Sequence, residues 1–521
     1  MIEKTNLQQN NKRVIIGDFL LIAMVVAVII YTIRSFVGNS MDSDAFFLVN
    51  TGKYIIENGC VPTINPFVIH EGFEIIVQQW LFDILMYGLY NAFGLYGMYL
   101  YCVVILFLTL FVLNKFLSLY TSNIDVRAFC LSLYCVSWYA FISTRPTSIS
   151  FILCLCLLIV MENYSRTNKR LRLLYLLPIS LAVVNIHAAL WPMLFVLMLP
   201  YVAPEFALQL LWDAFSSQML DKSEPKQSEK NQVKDMVRTW LNEKKDMLLA
   251  MVGMFVVGFV NPNGIKGMLY VVLSYGSASY GNAILELQAP PITAAYGVLV
   301  VAAIIMLILY AQKYKEKMSV PLIYMSLGTI ILAAIHIRNS WFLCFSLLPM
   351  IAILLSDALA KTNPVSHQRR KLHKIPCIIA AITLIAAVAI TNPDEITDTG
   401  ISPTKATEYL NECNKDDVVL FTEFNNGAFM SFNGYKIYME ARPELFQKKV
   451  NGKEDVYTEY WDVKQGKTDI AQFIEKYNFT HMLVISDGSA LVGYMQANDD
   501  YVAVVETDEY KLYELVTFQS Q

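Results

Sequence analysis

The stretch VIIGDFLLIAMVVAVIIYTIRSF (residues 14–36) is mostly apolar and follows the basic pair Lys12 and Arg13. At 1.5 Å of helix rise per residue it is long enough to cross the roughly 30 Å hydrocarbon core of a bilayer. No cleavage site of the small-x-small type follows it. The stretch therefore predicts a retained membrane span rather than a signal peptide.

Further apolar runs follow along the chain and raise the predicted number of spans to about eleven. They are residues 96–117, 128–141, 149–161, 173–184, 190–202, 247–260, 294–311, 320–335, 341–354 and 375–390. The composition agrees, because 55% of the 521 residues are hydrophobic and only 16% are charged. Soluble domains carry about 25% charged residues. The predicted fold is mainly α, a polytopic bundle of transmembrane helices.

Charge divides the chain after Thr391. Residues 392–521 carry 11 basic against 23 acidic side chains, a net charge of −12, whereas residues 1–391 carry +8. We predict a transmembrane domain over 1–391 and a water-soluble domain over 392–521. The latter alternates short strands (418–421, 436–439, 481–485, 502–505, 510–515) with helices (404–411, 469–477), which indicates a small α/β domain. The sequence contains no basic patch, no RNA-binding motif and no zinc-ligand spacing. We therefore do not expect it to bind nucleic acid.

The distribution of lysine and arginine predicts the orientation, since loops rich in these residues stay on the cytoplasmic side. With the N-terminus cytoplasmic, the inner loops hold Lys115, Arg127, Arg166, Lys169, Arg170, Arg172, Lys313, Lys315, Lys317, Lys361, Arg369, Arg370, Lys371 and Lys374. The outer loops hold only Lys53, Arg145, Lys266 and Arg338. The C-terminal domain is then extracytoplasmic in a multi-pass plasma-membrane protein, and residues 204–245 form a polar cytoplasmic insertion.

The first outer loop, residues 38–79, contains an amphipathic segment over 42–58 that predicts a helix lying along the membrane interface. The stretch VPTINPF ends it, and residues 79–93 predict a second interfacial or re-entrant helix. Cys60 in this loop and Cys413 in the C-terminal domain form one candidate disulfide pair. The other cysteines lie in or beside apolar runs, where a thiol packs as a small hydrophobe.

Polar side chains gather at the outer ends of the spans rather than at their midpoints, which is unlike a secondary transporter. They are Asp42, Asp44, Arg145, His187, Asn261, Lys266, Glu286, His336 and Arg338. Each has a simpler interpretation. The aspartates suit a helix N-terminus, the arginines suit membrane anchors, and the histidine suits a hydrogen-bonded core or aromatic-belt position. Their occurrence on one side predicts an outward-facing pocket at headgroup level.

The ordered motifs MDSDAFFLVNTGKYIIENGCVPTINPF, QQWL, STRPTS, NIHAALW, VNPNG, LELQAP, HIRNSW, FNNGAFMSF and YMEARPELF resemble one large family of bacterial membrane proteins with a GT-C-type glycosyltransferase fold. The resemblance covers nearly the whole chain. Three positions depart from the family's pattern: Ala188 where Gly is common, Leu287 where Trp is common, and Glu440 where Asp is common. In GT-C enzymes an acidic residue after the first membrane helix is catalytic, and the donors are generally lipid-phosphate-linked sugars.

This resemblance implies a sugar transfer from a polyprenyl-phosphate donor to an acceptor, with inversion at the anomeric carbon. Asp42 or Asp44 would be the base, and Arg145, Arg338 and His187 would bind the donor phosphate. Lys266, Glu286, His336 and Arg442 are further pocket candidates. The spacing of the two aspartates also suits Mg²⁺ or Mn²⁺, although two acids alone do not require a metal.

Two other functions remain open from the sequence. A flippase or exporter of lipid-linked glycans would explain the spans and the cations, and a non-catalytic scaffold would use the outer domain to bind a partner. The sugar and the glycan, lipid or protein acceptor are not specified by any motif. Arg442 either orders the acceptor over the pocket or forms an internal ion pair with Glu440 or Glu444, and its acidic neighbours favour the ion pair.

Overall fold

The computed structural model describes residues 41–204, 227–274, 285–314, 318–362 and 396–518, together with Val26 and Ile30. The predicted spans over 14–36 and 375–390 fall outside these ranges, apart from those two residues.

The membrane part is helical. Its helices are α1 Ser43–Asn58, α2 Trp80–Phe93, α3 Leu95–Leu117, α4 Ile124–Trp138, α5 Pro146–Thr167, α6 Leu176–Ile186, α7 Trp191–Val202, α8 Gln227–Val257, α9 Gly264–Met268, α10 Tyr270–Ser274, α11 Ala295–Tyr314, α12 Val320–Ile335 and α13 Cys344–Thr362. Short 3₁₀ turns link several of them, including Tyr139–Phe141, Leu285–Leu287 and Ile337–Leu343.

Five helical segments within the described ranges are long and apolar enough to cross a membrane: Leu95–Leu117, Ile124–Phe141, Pro146–Thr167, Ala295–Tyr314 and Ile337–Ala360. Two shorter apolar helices, Ala188–Val202 and Val320–Ile335, accompany them. The chain is a multi-pass membrane protein, and the predicted total of eleven spans is not confirmed. Helix α8 joins the polar residues of the predicted insertion directly to the apolar run after Met247, because its 31 residues form one continuous helix.

Helices form at both predicted positions in and after the first loop, as α1 and α2. Asp42 caps α1 by accepting a hydrogen bond from Ala45 N at 3.0 Å, and Gly59 ends the helix with φ 67°, a left-handed value that glycine adopts without strain. Helix α2 packs closely on α1, since a Cβ atom on Gly52 would lie 2.0 Å from the carbonyl oxygen of Asp83. Any larger side chain at position 52 would separate the two helices.

The C-terminal domain contains a four-stranded sheet with short helices around it. The strands are β1 Leu420–Phe421, β2 His481–Ile485, β3 Tyr501–Glu506 and β4 Tyr510–Leu515, in the order β1-β2-β4-β3. Strands β1 and β2 are parallel, and the other two pairs are antiparallel. The helices are α14 Thr404–Leu410, α15 Gly427–Phe432, α16 Lys448–Asn451, α17 Val456–Lys464, α18 Ile470–Tyr477 and α19 Ala490–Ala497.

The first loop and the C-terminal domain are packed together. Ile437 forms a bridge to Leu420 of β1 on one side and to Val68 of the loop on the other, so the loop extends the edge of the sheet. The sequence predicts a strand at 436–439, but the structure contains only these isolated bridges. Phe46 of α1 contacts the ring of Phe429 with centroids 5.0 Å apart. The loop and the domain therefore lie on the same side of the bundle.

Candidate functional site

The acid pair lies at the start of α1, immediately after the first predicted span. Asp42 is the N-cap residue and Asp44 lies in the first turn. A helix N-terminus carries partial positive charge and stabilises carboxylates. The capping interpretation of Asp42 is confirmed, and it leaves Oδ2 of Asp42 directed at a second partner, Arg145.

Arg145 connects both aspartates. It precedes Pro146, the first residue of α5, and has the extended backbone (φ −122°, ψ 150°) that a following proline favours. Its NH2 lies 2.9 Å from Asp42 Oδ2 and its Nε lies 3.0 Å from Asp44 Oδ2. Its NH1 lies 3.5 Å from Glu286 Oε1. One guanidinium group therefore faces three carboxylates, which we call the Arg145 cluster.

Glu286 reaches this cluster because its segment is fixed to the turn before α13. The backbone N–H of Ile337 donates to the carbonyl of Gln288 at 2.9 Å, and the His336 ring is hydrogen-bonded to the carbonyl of Leu287. His336 thus holds LELQAP in place. The two motifs, which are far apart in sequence, form one wall of the site.

Arg338 and His187 approach the same cluster. The charge of Arg338 acts on both Asp44 and His187 and lowers the pKa of each, and the side chain is exposed. His187 is buried at the end of α6, and its Nδ1 lies 3.0 Å from Ser150 Oγ on α5. The structure therefore brings Asp42, Asp44, Arg145, Glu286, His187 and Arg338 to one end of the bundle.

Desolvation shifts the pKa values of two residues in the site, Asp44 and His187. It raises the pKa of Asp44 to about 7, since desolvation and the charges of Asp42 and Glu286 outweigh the opposing effect of Arg145. Burial, with help from the charge of Arg338, lowers the pKa of His187 to about 3. His187 is therefore neutral near pH 7. Ser150 Oγ also donates to the carbonyl of Pro146 at 2.9 Å, so His187 Nδ1–H donates to Ser150.

The cation between the acids is supplied by the protein. Asp42 Oδ2 and Asp44 Oδ2 both bind the Arg145 guanidinium, although carboxylate oxygens are ligands that Mg²⁺ and Mn²⁺ favour. A metal ion at the acid pair would have to displace this guanidinium. The arrangement therefore does not fit an added metal ion.

The contacts of two predicted pocket residues, Lys266 and Arg442, lie outside the Arg145 cluster. Lys266 is exposed and its Nζ lies 2.6 Å from Glu74 Oε2. Arg442 forms a buried ion pair with Glu440, and its guanidinium lies 4.3 Å from the ring centroid of Phe47 on α1. Arg442 therefore both pairs with a local acid and contacts the first loop, whereas Glu444 accepts a hydrogen bond from Tyr270 at 2.5 Å.

Asp83 is a residue that the sequence analysis missed. It lies on α2, is fully buried, and both carboxylate oxygens have no hydrogen-bond partner among the described residues. Burial raises the pKa of Asp83 well above its usual value, and the charge of Arg442 opposes this. In the sequence Asp83 is one polar position of an amphipathic helix. The hydropathy pattern therefore cannot distinguish a buried aspartate at this position from a solvent-exposed one.

An open groove of about 700 Å³ lies beside the NIHAALW motif. Its lining is mostly apolar and includes Trp80, Leu181, Phe259 and Pro262. Trp80 Nε1 donates to Asn185 Oδ1 at 2.8 Å, and Asn185 also lines the groove. An apolar groove at this position could accept a hydrocarbon chain from the membrane.

Comparison with known proteins gives structural matches alone. No protein-family model and no curated protein matches the sequence. The chain matches the oligosaccharyltransferase AglB of Archaeoglobus fulgidus, solved with an inhibitory peptide and a dolichol-phosphate, at a TM-score of 0.54 and 11% identity, over 90% of this chain and 69% of that one. The apo form of the Archaeoglobus fulgidus oligosaccharyltransferase matches over the same shares at 0.53 and 11% identity.

ArnT from Cupriavidus metallidurans in the apo state aligns over 95% of this chain and 97% of that one, at 11% identity and a TM-score of 0.35. The likeness to the two oligosaccharyltransferase structures shows the fold. The chain has the fold of GT-C membrane glycosyltransferases, as the sequence resemblance implied.

Proposed function

We propose that the chain is a membrane glycosyltransferase that transfers a sugar from a polyprenyl-phosphate donor to an acceptor hydroxyl at the outer face of the membrane. The observation that carries the proposal is the Arg145 cluster, in which the two aspartates at the start of α1 and Glu286 surround Arg145. A second cation, Arg338, lies close enough for its charge to act on Asp44. Sugar transfer needs a base at the acceptor and cationic groups at the leaving phosphate.

In this mechanism the acceptor oxygen forms a bond to the anomeric carbon while the bond from that carbon to the phosphate oxygen breaks. The acceptor proton passes to an aspartate carboxylate, and polyprenyl phosphate leaves as an anion. A single displacement inverts the anomeric centre. We assign the base to Asp44, because a pKa near 7 suits a group that must lose and gain a proton near neutral pH.

The two arginines have different roles in this proposal. Arg145 is engaged by three carboxylates and fixes the acid pair. Arg338 is exposed beside Asp44 and His187 and is assigned to the donor phosphate, which a planar guanidinium can contact through two oxygens. His187, which is neutral, is a positioning residue that ties α6 to Ser150 of α5.

The groove beside Asn185 is assigned to the polyprenyl chain of the donor. Its apolar lining suits a hydrocarbon, and it adjoins the segment that contains His187. The archaeal oligosaccharyltransferase structure contains a dolichol-phosphate, a polyisoprenoid phosphate like the lipid that leaves in the proposed transfer, and this supports the proposal by likeness of fold.

The function is tested with the purified full chain in lipid nanodiscs. Polyprenyl-phosphate sugars that differ in the sugar are added with candidate acceptors, and release of polyprenyl phosphate is measured. The Asp42→Asn/Asp44→Asn double variant gives the background rate. Release above this background supports the proposal, and release no faster than the double variant for every donor and acceptor overturns it.

The proposed orientation is tested separately in intact cells. Single cysteines are placed at exposed positions near Asn58 in the first loop and near Asp499 in the C-terminal domain, and a third at Lys169. An impermeant thiol reagent should label the first two and not the third. Labelling of Lys169→Cys alone would place the cluster on the cytoplasmic side.

A further inference from the structure

A second cluster of chemically versatile side chains lies in the C-terminal domain. Cys413 follows α14, His481 is the first residue of β2, and Glu514 lies on β4. The ligand atoms of all three lie within 4.8 Å of one another. His481 and Glu514 are buried, and Cys413 is partly exposed as a free thiol. None of the three takes part in the Arg145 cluster.

The spacing of these atoms suits a tetrahedral metal ion. His481 Nε2 lies 3.2 Å from Glu514 Oε1. Two ligand atoms bonded to zinc at about 2.0 Å with a tetrahedral angle are about 3.3 Å apart, and a thiolate at about 2.3 Å gives slightly longer separations. Small side-chain rotations would therefore bring all three atoms to bonding distance of one ion.

The remaining polar atoms of the buried His481 and Glu514 side chains are also hydrogen-bonded. His481 Nδ1 lies 2.9 Å from Thr480 Oγ1, which itself accepts a hydrogen bond from Val419 N at 2.9 Å. Glu514 Oε2 accepts a hydrogen bond from Tyr409 at 3.0 Å. Such contacts orient the ligands in protein metal sites and select the histidine tautomer. In the tautomer in which Nδ1–H donates to Thr480 Oγ1, Nε2 presents a lone pair to the Glu514 carboxylate, and a cation between them removes the repulsion. In the other tautomer Nε2–H donates to Glu514 and no cation is needed.

We propose that Cys413, His481 and Glu514 bind a zinc ion. The thiolate and imidazole favour zinc over Mg²⁺ or Ca²⁺, which prefer oxygen ligands. Three protein ligands leave one tetrahedral position for water or for a group of a bound molecule. The ion would tie the segment after α14 to β2 and β4, so its first effect is to stabilise the C-terminal domain. This inference is independent of the proposed sugar transfer.

The direct test uses the purified full chain in detergent, with an affinity tag that contains no histidine. Metal content is measured after dialysis against metal-free buffer, and zinc is then exchanged for Co²⁺. We expect about one equivalent of zinc and, with Co²⁺, a near-ultraviolet charge-transfer band that only a thiolate ligand produces. Absence of both the bound metal and the band in the folded parent overturns the proposal.

Variants identify the ligands. Cys413→Ser should remove the charge-transfer band, whereas Cys60→Ser, which changes an exposed cysteine of the first loop, should keep it. Tyr409→Phe keeps all three ligands and removes only the hydrogen bond to Glu514, so metal affinity should fall about 10- to 100-fold. A band of parent intensity in Cys413→Ser would place the metal elsewhere and overturn the assignment.

A thermal measurement separates this site from a plain hydrogen-bonded pair of His481 and Glu514. If zinc ties the domain together, a chelator should lower the Tm of the parent and leave the Tm of Cys413→Ser unchanged. Identical chelator responses in the two proteins would show that the cluster has no metal-dependent role in stability and would contradict the proposal.

Discussion

The Nε atom of Arg145 lies 3.0 Å from Oδ2 of Asp44, so a residue at the start of α5 neutralises a carboxylate at the start of α1. The same guanidinium contacts Asp42 at 2.9 Å. The two aspartates therefore act as one unit with Arg145, and desolvation raises the pKa of Asp44 to about 7. This relationship determines how substitutions in the site should behave.

Asp44→Asn should lower the rate of sugar transfer by about 10²-fold or more, because the amide cannot accept the acceptor proton. Asp42→Asn should also reduce transfer, since it removes one of the three charges that hold Arg145. It should leave folding intact, because Asn caps a helix as well as Asp does. Turnover of polyprenyl-phosphate sugar and the Tm of each variant are the measurements.

Asp455→Asn is the matched control for this pair. Asp455 also caps a helix, α17, by accepting a hydrogen bond from Thr458 N at 3.0 Å, but it lies in the C-terminal domain and has no contact with Arg145 among the described residues. Its transfer rate should equal that of the parent. Parent-like rates in Asp42→Asn, Asp44→Asn and the double variant would show that the acid pair is not the site of chemistry.

The pH dependence of transfer should report Asp44. The base must be deprotonated to act, and its pKa is raised to about 7. Activity should therefore rise about tenfold per pH unit below that value and level off above it. The residual activity of Asp44→Asn should lack this rise. A rise that persists in Asp44→Asn but disappears in Asp42→Asn would assign the base to Asp42 instead.

Arg338→Lys should weaken donor binding and slow transfer without changing the net charge. Lysine cannot contact two phosphate oxygens through a planar fork, as arginine does. A membrane anchor, in contrast, would tolerate lysine, because lysine also reaches the headgroups. Donor affinity and single-turnover rates are measured for this variant and for the control Arg166→Lys, whose exposed arginine pairs with Glu162 at 2.6 Å. Equal values for the two variants and the parent would exclude Arg338 from the donor site.

His70 should make the stability of the protein depend on pH. It belongs to the first loop and packs against the C-terminal domain, where its Nε2–H donates to the carbonyl of Tyr438 at 2.8 Å, and its ring stacks on Phe73 of the same loop. Burial lowers its pKa from 6.5 to about 4, against the opposing effects of the Tyr438 carbonyl and Glu459.

Because the folded pKa is the lower one, the unfolded chain binds the extra proton between pH 6.5 and pH 4. The stabilisation is fully present above pH 6.5 and is lost as the pH falls towards 4, at a cost of roughly 3 kcal/mol. His70→Gln keeps a donor for Tyr438 and cannot titrate, so its Tm should fall less than that of the parent over this interval. Parallel Tm curves would rule out His70 as the group responsible.

The sequence predicts the elements well where one local pattern determines them. The helix Val320–Ile335 and the strands His481–Ile485 and Tyr510–Leu515 have the predicted bounds. In contrast, the predicted strand at 436–439 is reduced to bridges of Ile437, one of them with Val68. That pairing joins distant parts of the chain, and hydropathy patterns contain no information about it.

The sequence predicts which residues form the candidate site but not which of them contact one another. Motif positions at one end of the spans identified Asp42, Asp44, Arg145, Glu286 and Arg338. That Arg145 binds the acids themselves follows from the packing of α5 against the first loop, which composition does not reveal. Asp83 could not be found at all, because its burial depends on the docking of α1 against α2.

Variants of Arg442 test whether the C-terminal domain takes part in the transfer or only holds the structure together. Arg442 forms a buried ion pair with Glu440 and lies over the ring of Phe47. Arg442→Ala should lower the free energy of unfolding by about 3–5 kcal/mol, because it leaves Glu440 buried without its partner. Transfer by the fraction that remains folded should stay close to the parent rate.

The double variant Arg442→Met/Glu440→Met is the matched control, since it removes both charges and fills similar volume. It should be more stable than Arg442→Ala, as expected when a buried ion pair is replaced by apolar side chains. Thermal unfolding and transfer rates are measured on the same preparations. A parent-like Tm together with lost transfer in Arg442→Ala would instead place Arg442 at the acceptor, because a residue that acts only through the ion pair cannot affect transfer without affecting stability.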